Sequence, residues 1–392
     1  MSVTFGVVVG IVLTLIGLGW IALEWQYRSR EGNKLELTAG DWQLEVYEPQ
    51  QYVLVGEMEF CNRTRHLEIM VPEVNLDVTL LSKESLEGVT WSSQIVPQHA
   101  DAEARPDHYW FAYIVKIGKA TQMQVRITIQ GKDLTGLQAA WIRAGYVTYG
   151  PGGRIPKLTH AIVPLKFPTP DPNAAKWRPA SNGDVLPIHT HLLTHLDTPT
   201  DIVRRYVTPY AESGDVVTIG ETPIAIMQGR FRHPTDIQPG WLARRLCYYF
   251  LPTSSLATAC GLQALVDISG AWRVAFAFVL GSIARILLGK RGAFYQLAGE
   301  QARLIDDVTG TLPPYDQFVV LGPENPQAVV DKIKEETGLS AAIVDVNDLK
   351  AVKILAATAD VSHQSLAQAL ITNPAGNADE QTPIVLIRPS AS

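Results

Sequence analysis

The chain has 392 residues, a formal net charge of −6, 46% hydrophobic residues and 18% charged residues. That length is enough for two or three domains, and the apolar fraction excludes a disordered or low-complexity protein. The mild acidity argues against a dedicated nucleic-acid binder, and a charged fraction below the roughly 25% of ordinary soluble domains indicates that part of the surface faces something other than water.

The N-terminus supplies one such part. No charge occurs from Met1 to Leu23, and Phe5–Leu23 would span about 28 Å as a helix, close to a bilayer's hydrocarbon thickness. Trp20 and Trp25 sit at its far end, where indoles favour the membrane interface. A secretory signal would need a basic stretch before the apolar run and a small-residue cleavage site after it, and this sequence has neither. Residues 1–25 therefore read as an uncleaved transmembrane anchor. Arg28, Arg30 and Lys34 follow the helix, so the positive-inside rule makes this a single-pass membrane protein with the bulk of the chain cytoplasmic. Cys61, Cys247 and Cys260 lack metal-site spacing and fit free, buried thiols of a reducing compartment. The sequon Asn62-Arg63-Thr64 has no glycan to carry there.

Residues 35–168 alternate with period two: Trp42, Leu44 and Val46; Leu67, Ile69 and Val71; Val74 to Leu80; Tyr109 to Ile117; Val125, Ile127 and Ile129. Strands with one buried face and no intervening helices predict a β-sandwich-like domain. Within it His108, like His160, reads as a surface or packing residue. Residues 169–186 are rich in proline and polar residues and read as a linker.

From 187 to 392 the pattern is mixed α/β, giving an α+β chain overall. A helix is expected over Thr200–Ala211, capped by Thr198 or Asp197, and another over Gln327–Thr337 ending at Gly338. Pro239–Phe250 is also read as helical. Asp215–Gly220, Ala341–Val346 and Pro383–Ile387 read as strands. Ser255–Leu288 is strongly apolar, but Arg273 and Arg285 bracket an uncharged run of only 274–284. That is short for a span and fits a buried helix; the alternative is a helix lying on the membrane, with Lys290 and Arg291 near headgroups.

The segments PIHTHLL, GDVVTIGETPIAIMQGR, GKRGAFYQLAGEQARLIDDVTGTLPPYDQFVVLGPENP, IVDVNDL and NPAGNADEQTPIVLIRP follow one another over 187–389. In that order they resemble the coenzyme F420-0:L-glutamate (γ-glutamyl) ligase family, in a bacterial, membrane-anchored form. The resemblance implies an F420-0 ligase-like domain, a homodimer, and amide formation through an acyl phosphate. GTP or ATP would be the phosphoryl donor, a small carboxylate and an amino acid the substrates, and Mg²⁺ or Mn²⁺ the cofactor. It places His189, Thr190, Glu221, Gly229 and Arg230 at the nucleotide, with Thr222 beside Glu221, and Asp306 and Asp348 on the metal. Read from the residues alone, Asp306 and Asp348 serve equally well as turn caps, and Glu221 and Arg230 as a structural salt-bridged pair. Glu380, Gln381 and Thr382 would reach the site from the C-terminal loop or simply face water. His191 and His195 read as bystanders. The stretch 223–228 before Gly229-Arg230 has no lysine, where the family has a Lys/Ser-rich segment. This motivates an alternative: a catalytically degenerate ligase-like scaffold or assembly factor, docking a membrane-protein partner through the β-domain.

Overall fold

The computed structural model describes residues 2–28, 32–290, 292–305, 312–346, 351–376 and 380–390. The first element, α1 (Ser2–Arg28), is a 27-residue helix with no buried residue between Gly10 and Tyr27.

Nine strands follow: β1 (Leu35–Leu37), β2 (Asp41–Glu48), β3 (Gln51–Asn62), β4 (Ile69–Ser82), β5 (Thr90–Gln98), β6 (Tyr113–Val115), β7 (Ala120–Gln130), β8 (Leu137–Gly150) and β9 (Gly153–Pro164). They form two antiparallel sheets, one ordered β1-β3-β7-β5 with β2 on β3, the other β6-β4-β8-β9. Alternation is the reason they pack as a sandwich. Leu54, Phe60, Met123 and Ile127 of the first sheet meet Ile69, Leu80, Ile142 and Val163 of the second in one core. Phe60 lies edge-on to Tyr146 at 5.3 Å between centroids, and the Trp110 indole donates to the Val71 carbonyl at 2.9 Å. The alternating run 109–117 is mostly loop, with only Tyr113–Val115 in a strand. Asn62 is buried, its amide donating to Leu67 and Val115 carbonyls, so the sequon serves as a turn clasp.

The second part begins inside the proline-rich stretch, where β10 (Arg178–Ala180) and β11 (Gly183–Ile188) form a hairpin that composition alone hides. The remaining strands are β12 (Val216–Gly220), β13 (Phe231–Arg232), β14 (Val319–Val320), β15 (Ser340–Val346), β16 (Val352–Ala357) and β17 (Ile384–Pro389). Six of them make a mixed sheet ordered β10-β11-β17-β12-β15-β16, in which β12 and β15 run parallel. Helices are α2 (Pro199–Ile202), α3 (Glu221–Met227), α4 (Trp241–Leu246), α5 (Ala259–Ser269), α6 (Ala271–Leu288), α7 (Ala293–Ala298), α8 (Gln301–Leu304), α9 (Pro326–Thr337) and α10 (His363–Leu370).

Thr198 caps α2, accepting from the Asp201 amide at 3.2 Å, and the helix runs on through a wide turn and a 3-10 turn to Tyr210. This segment and α9 cover one sheet face through Ile202, Val203, Tyr206, Val330 and Ile333. On the other face, α10 packs Leu366 and Leu370 on Val344 and Val385. Gly338, at φ +77°, ends α9 in the left-handed conformation that glycine takes without strain.

A separate helical core gathers Ala243, Cys247, Leu262, Leu265, Val274, Ala277 and Ala298 from α4 to α7. Here the expectation of a buried helix over 255–288 fails in part. The segment breaks at Gly270 (φ +84°) into α5 and α6, and α6 covers only Val274, Ala277 and Gly281. Apart from the half-buried Phe278, its remaining large apolar side chains are exposed.

The sandwich and the second part share a core. The outer face of β8 and β9, through Ala139, Trp141 and Ile162, packs on Leu192, Ile226, Tyr315, Phe318 and Val320. This double burial is why β8 lacks clean alternation.

Candidate functional site

Parallel β12 and β15 end side by side, Gly220 level with Val344. In open α/β sheets, ligands bind in the crevice beyond the carboxyl ends of such strands. A cleft of about 260 Å³ lies there, lined among others by Thr218, Glu221, Thr222, Arg303, Asp345 and Asn373. Glu221 opens α3 immediately after β12, its carboxylate favourably placed in the helix's first turn. Asp345 is the next-to-last residue of β15, and Arg303 comes from α8. The loop before β17 forms the remaining wall with Asn373, Pro374 and Ala375. The cleft thus combines two carboxylates, one guanidinium, hydroxyls and a side-chain amide. Hard oxygen donors of this kind suit Mg²⁺ or Mn²⁺, and a guanidinium suits phosphate or carboxylate.

The residues singled out by sequence divide. Glu221 and Thr222 line the cleft. Asp306 and Asp348 lie outside the described residues; Arg303, three positions before the first, and Val346, two positions before the second, line it. Among the described residues no group of three His, Cys, Asp or Glu side chains is arranged to hold a metal ion. Thr190 is fully buried and supports the C-terminal loop, its amide donating to the Gln381 carbonyl at 3.0 Å. Thr382 accepts from the Gly376 amide at 2.9 Å, closing the same loop. Glu380 is exposed. His189 is exposed beyond the end of β11, and partial desolvation together with Lys83 and Lys166 holds it below its ordinary value, favouring the neutral ring.

Gly229 and Arg230 lie apart from the cleft lining. Gly229 takes φ +67°, and Arg230 donates to the Gly322 carbonyl at 2.7 Å and pairs with Glu324 at 3.1 Å. Gln228 binds the Glu324 backbone at both ends, at 2.8 and 2.7 Å. Arg230's salt-bridge partner is therefore Glu324 rather than Glu221. His191 is a buried structural group between Tyr206 and Asp197. Arg303, Asn373 and Asp345 are cleft residues that the motifs do not single out. The available signal was Asp345 at the end of an otherwise apolar strand.

A second polar cluster sits at the interface of the two parts. His160 is buried, accepting at Nδ1 from the Trp141 indole at 3.1 Å, with Nε2 3.6 Å from Asp236. His233 stacks on it at 4.7 Å and Phe318 closes the side. Burial, His233 and Arg143 push His160 down to about 4, and burial pushes Asp236 up to about 6. Trp141's N–H requires an unprotonated Nδ1, which independently favours the neutral ring.

The architecture is thus an α+β chain with a β-sandwich ahead of a mixed-sheet part that carries a cleft at its strand ends. Residues 36–167 match the family model of the F420-0:gamma-glutamyl ligase N-terminal Ig-like domain, which makes the sandwich Ig-like and supports that ligase family. No curated protein matches the chain. Similar solved structures cover about a third of it. The GAE domain of yeast GGA1 is 13% identical over 35% of this chain and 96% of that one, with a TM-score of 0.20. AvmM, which catalyses macrocyclisation in alchivemycin A biosynthesis, is 11% identical over 34% and 90%, with a TM-score of 0.21. A FixG-related protein from Vibrio parahaemolyticus is 13% identical over 35% and 98%, with a TM-score of 0.18. Likenesses this slight carry no functional argument.

Proposed function

We propose that the chain is a membrane-anchored F420-0:γ-glutamyl ligase-like enzyme that joins a carboxylic acid to an amino acid. The observation that carries this reading is the cleft beyond β12 and β15, where Glu221, Asp345 and Arg303 converge behind a sandwich that matches the ligase family's N-terminal domain. In the proposed reaction a substrate carboxylate oxygen attacks the γ-phosphorus of GTP or ATP, releasing the nucleoside diphosphate and forming an acyl phosphate. The amino acid's amine then attacks the acyl carbon, expels phosphate and loses a proton, leaving an amide. Such chemistry needs positioning and charge stabilisation rather than a side-chain nucleophile. Glu221 and Asp345, with Asp306 and Asp348 from the adjoining segments, would hold Mg²⁺ or Mn²⁺, which neutralises phosphate charge when bound. Arg303 would orient the transferring phosphoryl group or the substrate carboxylate.

The test is calorimetry on the full chain in detergent with GTP and ATP, each with Mg²⁺ or Mn²⁺. Binding should weaken by at least about tenfold in Glu221→Gln, Asp345→Asn and Arg303→Ala, the loss of one charge-assisted contact. Tight nucleotide binding unchanged in all three would move the site elsewhere.

A second reading, a ligase-like scaffold without catalysis, is favoured by Arg230. The guanidinium that the resemblance assigns to nucleotide is engaged by Gly322 and Glu324. Absence of any nucleotide binding, together with a stoichiometric membrane-protein complex recovered through the Ig-like domain, would decide for it. Carboxylate-dependent release of nucleoside diphosphate would decide against it.

A further inference from the structure

α6 is an amphipathic helix in an unusual sense: one face is glued to its own domain and the other is bare and apolar. Val274, Ala277 and Gly281 form the packed face. A Cβ on Gly281 would meet the Phe294 backbone at 2.9 Å, and Arg273 donates to the Leu297 carbonyl at 3.0 Å. Trp272, Phe276, Val279, Leu280, Ile283 and Leu287 recur at the helical repeat on the opposite face, with Trp272 90% exposed. By the same repeat, Arg273 falls at one edge of that stripe, whereas Arg285 falls on the side of the packed face. The exposed Tyr249 ring lies 5.5 Å from the half-buried Phe278, on the other side of the helix from that stripe.

Soluble monomers rarely leave so long an apolar stripe uncovered. Three observations identify what covers it. Residues 237–299 carry six basic side chains and one acidic one, Asp267, which is paired with Arg232. Exposed Trp241, Tyr248, Tyr249 and Trp272 are the residue types that settle at headgroup depth. The same chain carries α1, a second apolar helix with no buried residue from Gly10 to Tyr27. Basic charge, interfacial aromatics and an apolar stripe together match an anionic lipid surface. Val274, Ala277 and Gly281 hold the first three turns of α6 against the folded domain, which places the helix in the interface plane rather than across the bilayer.

We infer that α6 is a monotopic membrane-docking surface that seats the second domain on an anionic leaflet. The inference stands independently of the ligase reading. It is tested by placing the photocrosslinker p-benzoylphenylalanine at Phe276 or Ile283 of the full chain, reconstituted in nanodiscs of mixed phosphatidylcholine and phosphatidylserine. The same probe at Leu15 reports α1, and at Lys132, on the exposed β7–β8 loop, reports water. Lipid adducts at Phe276 and Ile283 several-fold above Lys132, falling when phosphatidylserine is replaced by phosphatidylcholine, are the expected result. Lipid adducts at Leu15 with only background at Phe276 and Ile283 would leave the anchor standing and overturn the proposal. Adducts from Phe276 to a second copy of the chain, in place of lipid, would overturn it in favour of a dimer interface.

Discussion

His160 and Asp236 make the Ig-like domain's attachment sensitive to pH, with opposite signs. His160 is held from its ordinary 6.5 down to about 4, so the unfolded chain takes up its proton first. Its contribution is present above about 6.5 and is lost as pH falls towards 4. Asp236 is raised from 3.8 to about 6, so its contribution is present below 3.8 and is lost as pH rises through 6. His233, His195 and His99 are also depressed by burial and share the sign of His160. Stability should therefore rise from pH 4.5 to 6.5 (both set within those windows). The rise should be steeper in Asp236→Asn and shallower in His160→Gln, read as urea midpoints in detergent. A slope unaffected by either change would show that the pair does not titrate with folding. Arg388 carries a second residue-scale prediction. It grips the buried Asp215 in a fork at 3.1 and 2.9 Å while lying over Trp177. Arg388→Met strands that carboxylate in the interior and should cost about 3–5 kcal/mol in equilibrium unfolding. None of these pairings was legible in the sequence, where His160 and Asp236 are 76 positions apart. A pair becomes visible only once the fold brings its elements together.

At the scale of elements, legibility followed burial on one face. β4 and β7 are exposed on one side, so their alternation was readable, whereas β8 is covered on both and reads as an apolar run. The same double coverage makes the interface between the two parts a sensitive place. Phe318 is buried among Trp141, His160, Phe231 and Tyr315. Phe318→Ala should destabilise by about 3–5 kcal/mol. Trp141 contacts Phe318 directly, so the loss should appear as a change in Trp141 emission coincident with unfolding. Two separated transitions would instead show that the parts unfold independently. α6 departs from the buried helix expected of its sequence for the converse reason. Apolar composition says that a helix avoids water but not whether protein or lipid receives it, and only the fold shows that three of its positions are covered.

At the scale of the whole molecule, the order of motifs from Pro187 onward was readable, and so were β12 and β15 as separate strands, but their parallel pairing, which places the cleft, came only with the fold. The composition of the cleft was less readable. Arg303 enters from a helix with no signal of its own, and Asp345 occupies a strand position that periodicity assigns to packing. The anchor reading has its own expected outcome. If α1 spans a bilayer, the chain should stay with membranes through carbonate and high-salt washes and leave only with detergent. Release of a shortened chain lacking α1's mass would identify a cleaved signal instead.

The place of β17 bears on timing. It is the last strand in sequence yet an inner one in space, lying antiparallel between β11 and β12. The Ig-like domain has all its strands by residue 164 and can fold while synthesis continues. The second domain cannot close its sheet, or complete the cleft, until residues 384–389 have cleared the ribosome. Nascent chains stalled before that point should present a protease-resistant first domain followed by an open, degradable second one. Any activity of the cleft thus begins only after translation has passed its final strand.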